Sequence, residues 1–305
     1  MKIAIAGANG FIGANLTRFF SRDGYDVYPL IYKNSWRLGK GRYSKNIARL
    51  DTTKRHSTII KIKKINPDVV INTSVFGGYP WQADKLRIFD INLRGTGNLL
   101  EASIEANSRL FIQTGTSAEY GLQNKLMRED TTPKPETDYA VSKLLATKTV
   151  VENEKMRSVV IRIFSAYGYF EEKRRLIPQL ILNGINGTEA MLTSKHNVRD
   201  FVFIEDIYEA YRKAIEFRGK KNEIFNIGGG KQYSLDDVVN IYKSEVGRLN
   251  AVWGNETIRS EDKARIWMAD VRKSMKLLSW SPKVNLPEGL KKTRKWFKEN
   301  IDLYS

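Results

Sequence analysis

The chain has 305 residues, 41% of them hydrophobic and none of them cysteine, and 51 lysines and arginines against 34 aspartates and glutamates, a formal charge of +17. That length allows one large domain or two unequal ones, and the absence of cysteine excludes disulfides, thiolate metal sites and cysteine nucleophiles. The basic residues are scattered, and their densest clusters, Lys61-Lys63-Lys64 and Lys291-Lys292-Arg294-Lys295-Lys298, fall on amphipathic helical patterns, so a basic field that draws in a small polyanion such as a nucleotide is favoured over nucleic-acid binding.

Met1 leads straight into Lys2–Ala6, a β-rich apolar run, leaving no room for a signal peptide. No stretch nears the roughly 18 apolar residues of a membrane helix, so the expected compartment is the cytoplasm. Gly7, Gly10 and Gly13 follow at a three-residue spacing before a helical segment, Ala14–Phe20. A strand feeding a helix through such a turn is how α/β proteins hold a dinucleotide pyrophosphate. Gly7 turns the chain, Gly10 admits the phosphates, and Gly13 lets the helix pack closely on the strand.

Asp26–Tyr32 is expected as the second strand, with Pro29 against it. Where NAD-binding chains place a carboxylate for the ribose hydroxyls, this one runs Tyr32-Lys33-Asn34-Ser35-Trp36-Arg37. With no acid there and two cations nearby, Lys33 and Arg37 would welcome a 2′-phosphate, favouring NADP over NAD. Leu50-Asp51 is expected to end a third strand, with Asp51 and the adjoining Thr52 at the adenine. A helix bearing Ile59, Ile60, Ile62 and Ile65 then stops at Asn66-Pro67. Asp68–Asn72 reads as a buried strand whose end, Asn72-Thr73-Ser74, would lie beside the cofactor. Gly77-Gly78 sits in a loop that could face a substrate, Leu86–Ala102 reads as a long helix carrying Asn92, and Leu110–Thr114 as the next strand. This alternation implies a parallel sheet covered on both faces.

The residues that follow carry the chemistry. Thr116 and Ser117 stand just past that strand, and Tyr139 and Lys143 open a helix further on. Four residues apart, they share one helix face, so an ammonium can favour the phenolate form of Tyr139 and suit it to general acid–base work. A hydroxyl from Thr116 or Ser117 would hold the substrate oxygen whose proton Tyr139 exchanges.

The chain resembles the extended short-chain dehydrogenases/reductases of the sugar-nucleotide epimerase/dehydratase family. The resemblance runs nearly end to end through GANGFIG, NLRGTGNLLEAS, TGTSAEYG, YAVSK, RIFSAYG, VRDFVFIEDI, FNIGGG and MADVRKSMKLLSWSPK. Details within TGTSAEYG and INTSVFGG are similar to the CDP-paratose/CDP-abequose synthase branch. The resemblance implies a Rossmann-like, doubly wound parallel α/β sheet with a smaller C-terminal substrate-binding lobe. The lobes would be interleaved: 1–165 plus about 198–228 for NAD(P), and about 166–197 plus 229–305 for the nucleotide sugar.

By the same resemblance Tyr139 is the catalytic acid/base, Lys143 holds the nicotinamide ribose and tunes Tyr139, and Thr116, with Ser117, fills the Ser/Thr position. Phe11 and Ile12 would donate backbone N–H groups to the pyrophosphate, with Asn72, Asn92 and Phe164 also at the cofactor. Gly77 and Ser165 would face the sugar. Arg199 and Arg259 would grip the substrate's diphosphate, the alternative being ion pairs with Asp200 or Asp262. Ser117-Ala118 stands where the 4,6-dehydratases carry an Asp-Glu pair, which argues against that elimination, and Ser165 replaces a frequent asparagine. Glu119 faces the site in the motif and reads equally as structural. His56 and His196 lie in no ligand-like cluster, so no metal is expected. A homodimer is the family expectation.

These readings lead to an NADPH-dependent 4-ketoreductase of a nucleotide-linked 4-keto-6-deoxysugar. The alternative is an NAD-dependent nucleotide-sugar 4-epimerase using the same residues. A non-catalytic nucleotide- or RNA-binding relative, the reading of another class, has no need of a tuned phenol.

Overall fold

The computed structural model describes residues 1–33, 36–219, 221–254 and 260–304. Strands β1 (Lys2–Ala6), β2 (Asp26–Ile31), β3 (Ala48–Arg49), β4 (Val69–Asn72), β5 (Leu110–Thr116) and β6 (Ser158–Ile163) alternate with helices. The helices are α1 (Phe11–Arg22), α2 (Arg55–Ile65), α3 (Lys85–Phe89), α4 (Gly95–Glu105) and α5 (Asp138–Val151). The second half adds β7 (Ser165–Tyr167), α6 (Leu176–Asn186), β8 (Glu189–Leu192), β9 (Val198–Phe203), α7 (Ile204–Glu216), β10 (Asn222–Ile227) and β11 (Gln232–Ser234). After these come α8 (Leu235–Glu245), β12 (Asn250–Trp253), α9 (Arg272–Leu278) and α10 (Leu286–Glu299).

Seven strands form one sheet in the order β10-β6-β5-β4-β1-β2-β3, every pair parallel. The order reverses at β1, whose C-terminal end runs into the glycine turn; such a switch point opens a crevice for a ligand. Side chains alternate across the strands. Ile3, Ile5, Val69, Ile71, Leu110, Ile112, Val159 and Ile161 fill one core, while Ala4, Ala6, Val70, Phe111 and Val160 fill the other. A parallel sheet clad on both faces needs apolar residues at both parities, which is why these strands read as continuous apolar runs. Pro29 fits because β3 pairs only with Leu30 and Ile31, so the outer ladder has not yet begun there.

Two features depart from the sequence expectation. The long helix runs from Lys85 to Glu105, but Asp90–Arg94 forms a π turn within it. Such a turn inserts one residue into the ladder and re-aims the side chains it carries, Asn92 among them. Second, Val198–Phe203 does not rejoin the main sheet. It pairs parallel with β7 and antiparallel with β11 in a separate three-stranded sheet, while β10 returns to the main one. Among the described residues, no helix is long and apolar enough to cross a membrane.

Candidate active site

The glycine turn makes a cradle that only hydrogen fits. At Gly7, φ is +74° and an added Cβ would stand 2.6 Å from the Ser74 nitrogen; at Gly13 it would stand 2.6 Å from Thr73 Oγ1. The turn thus presses β1, β4 and α1 together. Gly10 is the N-cap of α1 and offers no side chain, so the N–H groups of Phe11 and Ile12, which have no helical carbonyl to meet, are left for an anion. Beside the turn lies a cavity of about 440 Å³ lined by Gly7, Asn9, Leu30, Tyr32, Asp51, Thr52, Ser74 and Phe76, with Arg87 at another edge. A pyrophosphate cradle joined to an apolar and hydroxyl-lined slot fits a dinucleotide cofactor.

Several residues expected at the cofactor make their hydrogen bonds within the protein frame. Asn72 is buried; its Nδ2 donates to Thr96 Oγ1 at 3.0 Å and Gln113 Oε1 at 2.9 Å, while its Oδ1 accepts from Ser74 N–H at 3.0 Å. Asn92 grips the backbone of Phe76, accepting its N–H at 2.9 Å and donating to its carbonyl at 2.8 Å, and also donates to Ser142 Oγ at 2.9 Å. Thr73 donates to the Ala6 carbonyl at 2.7 Å. Each polar atom of these two amides has a partner in the frame, and neither amide lines the first cavity. Phe164 is likewise a core residue, packed 6.4 Å from the Tyr120 ring.

The two cations after β2 separate. Lys33 is exposed, its ammonium 5.7 Å over the Tyr32 ring at the pocket rim. Arg37 turns away: its Nε donates to the Phe170 carbonyl at 2.8 Å and its guanidinium pairs with Glu172 at 3.3 Å. Its expected role at a 2′-phosphate is therefore not supported by its position, because a carbonyl takes its Nε and a carboxylate its Nη2.

Lys143 and Tyr139 lie on α5, which packs on β5. Lys143 is buried and donates to the Thr114 carbonyl of β5 at 2.5 Å. Burial pulls its ammonium down from 10.5 to about 8, the nearby Glu119 carboxylate opposing. The Tyr139 side chain is half-buried and runs beside Gly77 and Gly78. At Gly77, where φ is +91°, a Cβ would meet Ile88 2.8 Å away, so this loop can approach the phenol only as glycine. Thr116 ends β5 and Ser117 Oγ accepts from Trp267 Nε1 at 3.2 Å. Glu119 proves structural: buried, it accepts the Thr116 N–H at 2.9 Å and pairs with buried Arg162 at 2.8 Å. Sequence reading missed Arg162, although a charge inside the strand SVVIRI signals a buried partner.

Lys143 gives a pH expectation with two opposite signs. The Lys143 cation is lost as pH rises past about 8, so kcat/KM is expected to fall above that point, and Lys143→Arg, which stays protonated, to flatten the fall. In the unfolded chain the lysine keeps its proton to 10.5, so from about 8 to 10.5 the unfolded state binds more protons and stability rises with pH. A pH–rate profile and thermal melts over pH 7–10 check both.

A second cavity, about 350 Å³, is lined by Trp81, Ser165, Glu171, Arg174, Arg175, Thr193, Arg199 and Asp262, among others. Arg199 pairs with Asp262, the alternative kept open above, yet still lines the cavity. Asp200 instead accepts the N–H groups of Gly229, Gly230 and Ala269. Arg259 lies outside the described residues. Arg174 and Arg175 were not expected here; Arg174 stacks 3.4 Å over Trp81, which stacks on Tyr79 at 4.7 Å.

A family model, the NAD dependent epimerase/dehydratase family, matches residues 3–228. The chain belongs to that family, whose members are enzymes acting on sugar nucleotides. It is 28% identical to a UDP-glucuronate 4-epimerase of Thermodesulfobacterium geofontis, over 98% of this chain and 97% of the relative. It is 25% identical to a UDP-glucose 4-epimerase of Lactobacillus helveticus, over 98% of each. In fold it matches the Bacillus cereus UDP-glucuronic acid 4-epimerase, solved with UDP-glucuronic acid and NAD, with a TM-score of 0.86 at 24% identity, covering 98% of this chain and 100% of that one.

Proposed function

We propose that the protein is an NAD-dependent 4-epimerase of a nucleotide-diphosphate sugar. The observation that carries this is the commitment of Arg37 to Phe170 and Glu172, which leaves the loop after β2 without the guanidinium that a 2′-phosphate would recruit. That favours NAD, and NAD suits an inversion that consumes no reductant. The preference thus moves from the NADPH-dependent 4-ketoreductase to the epimerase. Full-length likeness to two 4-epimerases supports the same reading, and Ser117-Ala118 speaks against 4,6-dehydration.

When bound, NAD supplies reversible hydride acceptance at C4 of the sugar. Tyr139 takes the proton from O4 and later returns it. Thr116 holds that oxygen through its hydroxyl, and Lys143, anchored on the Thr114 carbonyl, stabilises the negative charge that develops on the phenol. Arg174, Arg175 and Arg199 outnumber Glu171 and Asp262 in the lining of the second cavity, which suits it to a diphosphate. The homodimer remains part of the proposal.

The test is incubation with UDP-glucose and with UDP-glucuronate, catalytic NAD and no reductant, read by proton NMR of the C4 epimer. Inversion without net NADH supports the reading. Stoichiometric NADPH consumption on a nucleotide-linked 4-keto-6-deoxysugar, with no inversion of either UDP-sugar, would return the ketoreductase.

A further inference from the structure

The wall of the second cavity is gripped from the dinucleotide side. Asn15 of α1, buried, donates to the carbonyls of Phe11 and Tyr169 at 2.9 and 2.7 Å. One turn later Arg18 lays its guanidinium 4.4 Å from the Phe170 ring centroid and ties down the carbonyls of Arg37 and Leu38 at 2.8 and 2.6 Å. Arg37 then reaches the Phe170 carbonyl and Glu172. Phe170 has a φ of +64°, a left-handed conformation that a bulky side chain keeps only when its surroundings impose it. On its other side the Trp296 ring packs 4.5 Å away. The next residues, Glu171, Arg174 and Arg175, line the cavity. At the opposite end, Asn9 of the glycine turn donates to the Lys33 carbonyl at 2.7 Å, and Asn9 and Tyr32 line the first cavity.

We propose that Arg37 is a positioning residue that couples the two cavities, so that NAD in the first sets the shape of residues 168–175 at the second. This rests on reading the cavities as cofactor and nucleotide-sugar sites. A 2′-phosphate that recruited Arg37 would take it from Phe170 and Glu172, so NADP and a formed substrate wall compete for one guanidinium. By linkage, NAD and the nucleotide sugar raise each other's affinity by the same factor.

The test is hydrogen–deuterium exchange over residues 168–175 of the whole protein, with and without NAD, in the wild type, Arg37→Gln and Arg37→Lys, alongside NAD affinity measured by titration. NAD is expected to slow exchange about tenfold in the wild type. Arg37→Gln loses that protection while holding NAD within about twofold, and Arg37→Lys, which keeps the charge but not the fork, falls between. With turnover established, Arg37→Gln raises KM for the nucleotide sugar about tenfold at nearly constant kcat. NAD bound without protection of the loop overturns the coupling alone, as does an Arg37→Gln variant that weakens NAD or NADP binding and leaves the loop unchanged. No NAD binding by the wild type overturns the cofactor reading first and the coupling with it.

Discussion

Replacing Tyr139 by phenylalanine is expected to lower kcat about 1,000-fold while leaving NAD and UDP affinities within about twofold, since a positioned acid/base contributes on the order of 10²–10⁴. The ring itself is kept, so its contact with Gly77 and Gly78 survives. Both cavities remain lined as before, because neither counts the phenol oxygen among its walls. Steady-state rates beside circular dichroism and nucleotide titration separate these effects. A loss smaller than tenfold would place proton transfer on another group and remove the centre of the mechanism.

Glu119→Ala should produce the largest loss of stability of any change at the site, about 3–5 kcal/mol, because it strands Arg162 as a buried charge. It also frees the Thr116 N–H, so the hydroxyl-bearing strand end loses its anchor along with the ion pair. The Arg162 guanidinium lies 4.6 Å over the Tyr120 ring, and the Tyr120 hydroxyl donates to Asn226 Oδ1 at 2.7 Å, so the damage spreads from β6 to β10. Glu119→Met with Arg162→Met, which removes both charges together, should recover most of the loss. Urea unfolding of the single and double variants decides this. If Glu119→Ala cost less than about 1 kcal/mol, the pair would not be what fixes Thr116.

Local rules made much of this legible in the sequence. The strands of the main sheet show themselves as apolar runs, and the glycine turn as a spacing, because each depends on neighbours within a few residues. Tyr139 and Lys143 belong to one helix face, so their partnership is also local. Contacts made across the fold are different. Nothing in the segment after β2 says that Arg37 turns toward Phe170, 133 residues away. Asn72 and Asn92 look like ligands for a cofactor because amides serve both ends; only the tertiary structure shows their donors and acceptors already taken. Val198–Phe203 has the pattern of any buried strand, and which sheet it joins depends on β7 and β11, not on its own residues.

The interleaved connectivity has a consequence for how the protein is made. The sheet edge beyond β6 stays open until residue 227 has been synthesised, because β10 alone covers it. By then β7, α6, β8 and β9 have already been synthesised, with β11, β9's other partner, still to come. At about 5–20 residues per second, an exposed parallel edge and an unfinished small sheet coexist for several seconds. No single cut of the chain therefore separates the complete seven-stranded sheet from the three-stranded one, because β7 and β9 lie in sequence between β6 and β10.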